Sequence, residues 1–190
     1  MSAITLEQQL ATLATLGLTL DPGITTDDVL HSFGADSYEE RPFDLVLFIL
    51  GVEVEREPWG RSFCQRVWNF DTECIEGDGS YVRIAKRLCA VAGRPDAFTE
   101  LRDHVDTEAG TGWIEYTVDG KRRRWDIEVN DDWADTMVVA YMMGDLERDG
   151  KMFRAKDNGQ AMVLFYLDDA AARQLSELAQ EPLTTVTNPT

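Results

Sequence analysis

A two-residue Asp-Gly turn between two apolar-rich segments is the feature that most restricts the fold. Residues 113–118 and 121–129 flank Asp119-Gly120, a dipeptide that tolerates the positive φ angles of a tight type I′ connection. The sequence therefore predicts a β-hairpin whose register is set by the turn. In that register one side is apolar and comprises Ile114, Tyr116, Val118, Trp125, Ile127 and Val129.

The other side of this hairpin carries charged and hydroxyl side chains. Glu115 lies opposite Arg124 and Thr117 lies opposite Arg122 in the same register. Cross-strand pairs of this kind predict an exposed, polar face. The basic run 121–124 sits at the tip and its side chains alternate between the two faces, so it does not predict a nucleic-acid site.

Helical periodicity and turn residues predict the remaining elements. Apolar residues recur every three to four positions in several segments, each bounded by Gly, Pro or a capping residue. Helices are predicted over residues 6–16, 26–33, 43–50, 81–92, 132–148 and 168–179, a strand over 67–70, and a second hairpin around Asn158-Gly159. The apolar segment 43–50 is also compatible with a strand.

This order of elements predicts an α+β fold. A mainly antiparallel sheet is built from hairpins, and helices pack on one of its faces. Residues 1–180 are expected to form a single domain whose N-terminal portion, residues 1–51, is helical, and residues 181–190 are expected to be a flexible tail. A chain of 190 residues is long enough for one substantial core.

The acidic excess limits the possible partners. The chain has 35 acidic and 18 basic residues, and its formal net charge is -17 at pH 7. Such a charge repels nucleic-acid phosphates and anionic lipids, so neither nucleic acid nor a membrane is the expected partner. A basic protein is attracted instead. The alternative is that the acidic charge has no role in binding and only keeps a cytosolic protein soluble.

The sequence also predicts a cytoplasmic protein. The N-terminus lacks a basic segment followed by an apolar one, and the apolar run 45–50 is far shorter than the ~20 residues that span a bilayer. Cys64, Cys74 and Cys89 are odd in number and have no metal-binding spacing, which indicates reduced, inert thiols. The oligomeric state is not predicted.

Two acidic clusters beside aromatic residues are the candidate functional site. One occupies residues 68–79 and the other residues 130–133. Aromatic anchors supply binding energy, and carboxylates select a cationic partner. The candidate partner-binding residues are Trp68, Asp71, Glu73, Glu76, Asp78, Asn130, Asp131, Asp132 and Trp133.

A metal ion is the other ligand that clustered carboxylates suit. Glycines at 77 and 79 give the first cluster freedom to wrap a hard cation. The spacing departs from a calcium loop, however, because Cys74 and Ile75 occupy its centre and Val82 stands where the last carboxylate belongs. No metal ligand and no cofactor is therefore assigned.

Several candidate residues also have a purely structural interpretation. In this interpretation Asp71 ends a strand, Asp78 accepts backbone amides ahead of the next helix, and Trp68 belongs to the core. Asn130 or Asp131 is expected to cap the helix 132–148, with carboxylates in its first turn. Ser80 is expected to cap the helix 81–92, and His104 to be an exposed helical residue.

Four segments resemble a group of small, acidic bacterial cytosolic proteins. The segments are residues 38–43, 68–76, 79–81 and 130–133. Such proteins are associated with the immunity partners of polymorphic or contact-delivered toxins. The resemblance implies a binding role and carries no catalytic residues with it.

The sequence thus predicts an acidic cytosolic binding protein, an immunity-type inhibitor that neutralises a basic toxin or effector by stoichiometric binding. The alternative is a divalent-metal-dependent hydrolase that uses Asp71, Glu73, Asp131 and Asp132. An enzyme is the less favoured prediction because neither His31 nor His104 has a partner at metal-binding spacing and no cysteine lies in a nucleophile motif.

Overall fold

The computed structural model describes residues 4–186, and its elements confirm the predicted α+β class. The helices are α1 Leu6–Ala14, α2 Thr26–Val29, α3 Ala35–Glu40, α4 Asp44–Leu50, α5 Ser80–Val91, α6 Thr136–Leu146 and α7 Asp169–Ala179. The strands are β1 Val67–Asp71, β2 Phe98–Asp106, β3 Thr111–Val118, β4 Lys121–Glu128, β5 Lys151–Asn158, β6 Ala161–Asp168 and β7 Thr184–Thr185.

The strands pair antiparallel, as predicted, but they divide between two sheets. One sheet has the order β1-β6-β5-β7 and the other has the order β2-β3-β4. Both hairpins are present, and each contributes two adjacent strands to a different sheet. The helical N-terminal portion is followed by β1, which pairs with β6 in the larger sheet.

Strand β6 separates two apolar cores. Leu164 and Tyr166 face a core formed with α5, α6 and the three-stranded sheet. Phe165 and Leu167 face a second core formed with α1 to α4 and α7. This alternation follows from the two-residue period of a strand. The four-stranded sheet is therefore covered on both faces, and the prediction that helices cover one face is wrong.

A buried glutamine ties the N-terminal helices together. Thr5 and Gln8 form the capping box that starts α1. Gln9, fully buried, donates its side-chain amide to the carbonyl of Tyr38 at 2.9 Å and accepts from the backbone N–H of Phe43 at 2.8 Å. These bonds satisfy a buried polar side chain and fix α1 against α3 and α4.

The first hairpin has the predicted register. Val118 pairs with Lys121, and the loop residues Asp119 and Gly120 have φ angles of 48° and 72°. Positive φ at both positions is the signature of a type I′ turn. The predicted apolar side lies in the core, with the Ile114 side chain fully buried.

The second hairpin turns one residue later than predicted. Asn158 pairs with Ala161, so the loop consists of Gly159 and Gln160. Gly159 alone has a positive φ, 73°, as a type II′ turn requires at its first loop position. The predicted Asn158-Gly159 turn is therefore wrong by one position.

The start of α5 is capped by a residue from another element. Asp103 in β2 accepts from the backbone N–H of Gly79 at 2.7 Å and of Val82 at 3.0 Å. Ser80, the predicted cap, is the first helical residue and accepts from the backbone N–H of Glu76. His104 also lies in β2, so its predicted helical setting is wrong.

Helix α6 is shorter than predicted at both ends. Its N-cap is Asp135, whose carboxylate accepts from the N–H groups of Met137 at 2.9 Å and Val138 at 3.2 Å. The predicted caps Asn130 and Asp131 lie ahead of the helix in a separate turn. Asp131, Asp132 and Asp135 all precede this helix. Their sequence does not distinguish them as caps, and only the path of the backbone shows which one caps the helix.

The predicted polar face of the first hairpin contains a buried carboxylate. Glu115 is 6% exposed and accepts from Arg102 at 2.8 Å, Arg122 at 2.7 Å and Arg124 at 2.6 Å. These charge-assisted bonds, those from Arg122 and Arg124 first, lower the pKa of Glu115 to about 2. Arg124 also lies 4.5 Å from the ring centre of Trp113.

The cluster around Glu115 predicts a specific acid sensitivity. A carboxylate whose folded pKa is below its ordinary value of 4.5 stabilises the fold above that pH. This stabilisation is lost as the pH falls from about 4.5 towards about 2. Melting temperatures measured across this range should fall less steeply for Glu115→Gln than for the parent. The control Asp126→Asn, at a 90% exposed side chain, should follow the parent, and parallel curves for all three proteins would contradict the assignment.

The chain end described here adds a short strand. Thr184–Thr185, within the predicted tail 181–190, pairs with β5 as β7, while residues 187–190 lie outside the described residues. The division into a domain of residues 1–180 and a tail stays a prediction. None of the helices in the described chain has both the length and the apolar character needed to cross a membrane.

Candidate functional site

The two acidic clusters are joined through their backbones. The N–H of Ile75 donates to the carbonyl of Asp132 at 2.9 Å, and the N–H of Ala134 donates to the carbonyl of Thr72 at 2.7 Å. Glu73 and Trp133 form an antiparallel bridge between these two bonds. The resulting patch is called the acidic surface, and its exposed members are Asp71, Glu73, Glu76, Asp78, Asn130, Asp131, Asp132 and Trp133.

Buried groups beneath the acidic surface hold its backbone in place. The Thr72 side chain, 6% exposed, donates to the carbonyl of Gln160 at 2.8 Å. The Tyr81 hydroxyl accepts from the N–H of Asp135 at 2.7 Å, and Ile75 lies in the core. The exposed carboxylates are therefore carried by a backbone that is anchored on both sides, which lowers the entropy cost of binding a partner.

A tight turn forms the second cluster. The N–H of Trp133 donates to the carbonyl of Asn130 at 3.0 Å, and Asp131 has a φ angle of 49°. Asn and Asp tolerate this left-handed conformation better than other non-glycine residues. The local sequence thus explains why the chain reverses here and presents adjacent carboxylates.

The first cluster uses some of its carboxylates for its own structure. Asp71 accepts from the N–H of Glu73 at 3.0 Å at the end of β1, as its structural interpretation predicts. The side-chain amide of Gln160 donates to Glu73 at 2.9 Å. Glu76, with 79% of its side chain exposed, pairs with Arg83 at 2.9 Å. An ion pair this exposed contributes little stability.

Asp78 connects the acidic surface to β2. Its carboxylate accepts from the backbone N–H of Val105 at 2.7 Å and lies 3.1 Å from Nδ1 of His104. The bond from Val105, followed by the charge and hydrogen bond of His104, holds the pKa of Asp78 below its ordinary value. The backbone amide that Asp78 satisfies is that of Val105, and the amides ahead of α5 are satisfied by Asp103.

The two candidate tryptophans have different settings. Trp68 is half-buried, lies 4.6 Å from Phe70 between ring centres and packs against the core. Trp133 is 39% exposed on the acidic surface, and Met137, 44% exposed, follows it at the start of α6. Trp133 and Met137 therefore supply the apolar part of this surface, while Trp68 lies beside it. Met137 was missed because a methionine at a helix start has no sequence signal for exposure.

The described part of the chain contains no cluster of metal ligands that the metal-dependent hydrolase would need. Among residues 4–186, no group of three or more His, Cys, Asp or Glu side chains is arranged to hold a metal ion. The carboxylates of Asp71 and Glu73 are engaged with the Gln160 amide and a backbone N–H. The hydrolase stays a prediction, and no metal site among residues 4–186 supports it.

The cysteines lack the properties of nucleophiles. Cys64 and Cys89 are buried, and burial raises the pKa of both thiols. Burial also raises the pKa of Cys74 to about 11, with smaller contributions from the negative charges of Asp71 and Glu76. These thiols stay protonated near neutral pH, so their reactivity is low.

The sequence prediction also missed an exposed aromatic residue and a cavity. Trp59, on the loop between α4 and β1, is 68% exposed. A cavity of about 430 Å³ lies between that loop, β1 and α5 and is lined in part by Trp68 and Cys74. A cavity depends on how distant segments meet, and no local pattern in the sequence indicates it.

Comparison with protein-family models, with curated proteins and with solved structures found no match to this chain. The functional conclusion therefore depends on the geometry and the charge of the chain itself.

Proposed function

We propose that this chain is a stoichiometric binding protein of the bacterial cytoplasm, an immunity-type inhibitor that neutralises a basic toxin or effector. The acidic surface occupies a cationic cleft on that partner. Inhibition of this kind needs no catalytic residue in the inhibitor, because occupation of the partner's site is sufficient.

The observation that carries the proposal is the junction of the two acidic clusters. Backbone hydrogen bonds from Ile75 to Asp132 and from Ala134 to Thr72 bring together two segments that lie more than fifty residues apart in the sequence. One surface then presents carboxylates from both segments around Trp133. Interface hot spots have this composition, an aromatic anchor with charged neighbours that select the partner.

Charge and rigidity support a basic protein as the partner. The net charge of -17 favours encounter with a cation and opposes binding to phosphates or anionic lipids. The backbone beneath the surface is tied to the core through Thr72 and Tyr81. A preformed surface binds with a smaller loss of conformational entropy than a mobile loop does.

Capture from a lysate of the source bacterium tests the proposal with matched variants. The acidic-surface variant carries Glu73→Gln, Glu76→Gln, Asp131→Asn and Asp132→Asn. The control variant carries the same charge change at exposed sites elsewhere, Glu7→Gln, Glu40→Gln, Asp96→Asn and Glu108→Gln. Amides keep the size of each side chain and an acceptor oxygen, so both variants should fold.

The parent and the control variant should retain the same basic protein in a 1:1 complex, and the acidic-surface variant should lose it. Mass spectrometry identifies the partner and light scattering gives the stoichiometry. Addition of the parent should also inhibit the activity of the purified partner. Equal retention by all three proteins, or capture of no basic protein, would contradict the proposal.

A further inference from the structure

A concave surface lies beside α5, next to the Glu76–Arg83 ion pair. The cavity of about 430 Å³ beside Trp68 adjoins a second one of about 750 Å³, and both are lined by Ser62, Arg83 and Arg87. Together they form a groove between the loop 51–66 and α5. Each of the two cavities has a volume in the range of small-molecule sites.

The groove is basic in a strongly acidic chain. Arg61, Arg83, Lys86 and Arg87 line it, and Asp21 and Glu53 are its carboxylates. Asp21 already accepts the N–H of Gln65 at 3.1 Å. Cations therefore outnumber carboxylates here, although acidic residues outnumber basic ones about two to one in the whole chain.

Among residues 4–186, two of these cations lack a carboxylate at ion-pair distance. Arg61 lies 3.7 Å from Asp28 and Arg83 lies 2.9 Å from Glu76. The remaining two are Lys86 and Arg87. Burial lowers the pKa of Arg87, and the charges of Asp21 and Glu53 act on it from beyond ion-pair distance. A positive charge without a counter-ion attracts an anion strongly when it is partly removed from water.

The backbone holds Arg87 in a fixed position. Its guanidinium donates to the carbonyl of Val67 at 2.7 Å and more weakly to those of Cys64 and Gln65, each at 3.4 Å. Carbonyls orient the guanidinium but leave its charge in place. A planar, oriented guanidinium is well suited to a phosphate or carboxylate group.

The smaller cavity also has apolar lining residues. Trp68, Cys74 and Ile84 line the smaller cavity next to Arg83 and Arg87. An aromatic ring in such a place offers a stacking surface for a flat, apolar group. Cations and an aromatic ring in the same cavity suit a ligand that has an anionic group and a flat apolar part.

We propose that this groove binds a small organic anion, a phosphate or carboxylate group joined to a flat apolar moiety. The anionic group lies against Arg83, Lys86 and Arg87, and the apolar moiety lies against Trp68. The groove touches the acidic surface through the Arg83–Glu76 pair, but the two proposals use different ligands and different assays, so failure of one leaves the other standing.

Calorimetric titration with four probes tests this site. Phenyl phosphate and indole-3-carboxylate carry both parts of the expected ligand, inorganic phosphate carries the anion alone, and indole carries the ring alone. At least one of the two-part probes should bind with a Kd below about 1 mM. Inorganic phosphate and indole should each have a Kd at least about tenfold higher than that of the two-part probe.

A matched pair of variants locates the binding. Arg83→Gln with Lys86→Gln removes two cations from exposed positions of α5, and glutamine preserves the helix. Lys121→Gln with Lys151→Gln removes two exposed cations outside the groove. The first variant should raise the Kd of the better probe about tenfold or more, and the second should leave it nearly unchanged. Equal affinities for both variants, or no binding of either two-part probe, would overturn the proposal.

Discussion

Gly51→Ala is expected to lower the free energy of unfolding by about 2–3 kcal/mol, because the added methyl group has no space. A Cβ atom at Gly51 would lie 2.5 Å from the backbone nitrogen of Asn69 and 3.0 Å from the carbonyl carbon of Trp68. The carbonyl of Gly51 accepts the Asn69 N–H at 2.8 Å. This close approach joins the end of α4 to the outer edge of β1.

Thermal and urea unfolding measure this effect. The melting temperature should fall by roughly 5–10 °C for a chain of this size. Gly34→Ala is the control, because no atom lies within 4 Å of a Cβ there. Its change should stay within about 1 kcal/mol, the range of an altered N-cap. Equal stability of Gly51→Ala and the parent would show that α4 does not contact β1 as described.

The first hairpin could be predicted because local residues determine it. Asp119 and Gly120 favour one turn type, and this turn sets every cross-strand pair from Val118–Lys121 onwards. Helix α7 could be predicted for the same reason, since Asp168 caps it within a single turn. Such elements need no information from distant segments.

Strand β2 could not be predicted because its sequence lacks the alternation of a strand. Only Phe98 and Val105 of its nine residues are buried. The pairing with β3 shifts between Thr99 and Arg102, and Glu100 has a φ angle of 54°. The bulge breaks the two-residue period on which the prediction depends. The burial of Glu115 was missed together with β2, because Arg102 on that strand helps to cover it.

The candidate residues could be named from the sequence, but their arrangement could not. The amino-acid sequence itself shows the carboxylates that cluster beside tryptophan. The junction of the two clusters depends on backbone bonds such as Ala134 to Thr72, which no local rule predicts. The different settings of Trp68 and Trp133 also depend on tertiary packing.

The largest functional effect is expected in the rate of association with the proposed basic partner. Attraction between opposite charges raises association rates from about 10⁵–10⁶ to as much as 10⁸–10⁹ M⁻¹s⁻¹ at low salt. The variant with amides at Glu73, Glu76, Asp131 and Asp132 lacks four charges of the acidic surface. Its association rate should be lower than that of the parent by about tenfold or more, and its dissociation rate should change less. The control variant, with four charges removed elsewhere, shows how much of the effect belongs to net charge alone.

The most direct test of the acidic surface as the recognition site is the association rate of the 1:1 complex at two ionic strengths, measured by stopped-flow fluorescence. The Debye length falls from about 10 Å at 0.1 M salt to about 3 Å at 1 M salt. The parent and the control variant should associate much faster at the lower salt concentration, whereas the acidic-surface variant should be slow at both. Association rates that are the same for the parent and the acidic-surface variant, or that do not change with salt for the parent, would contradict this account.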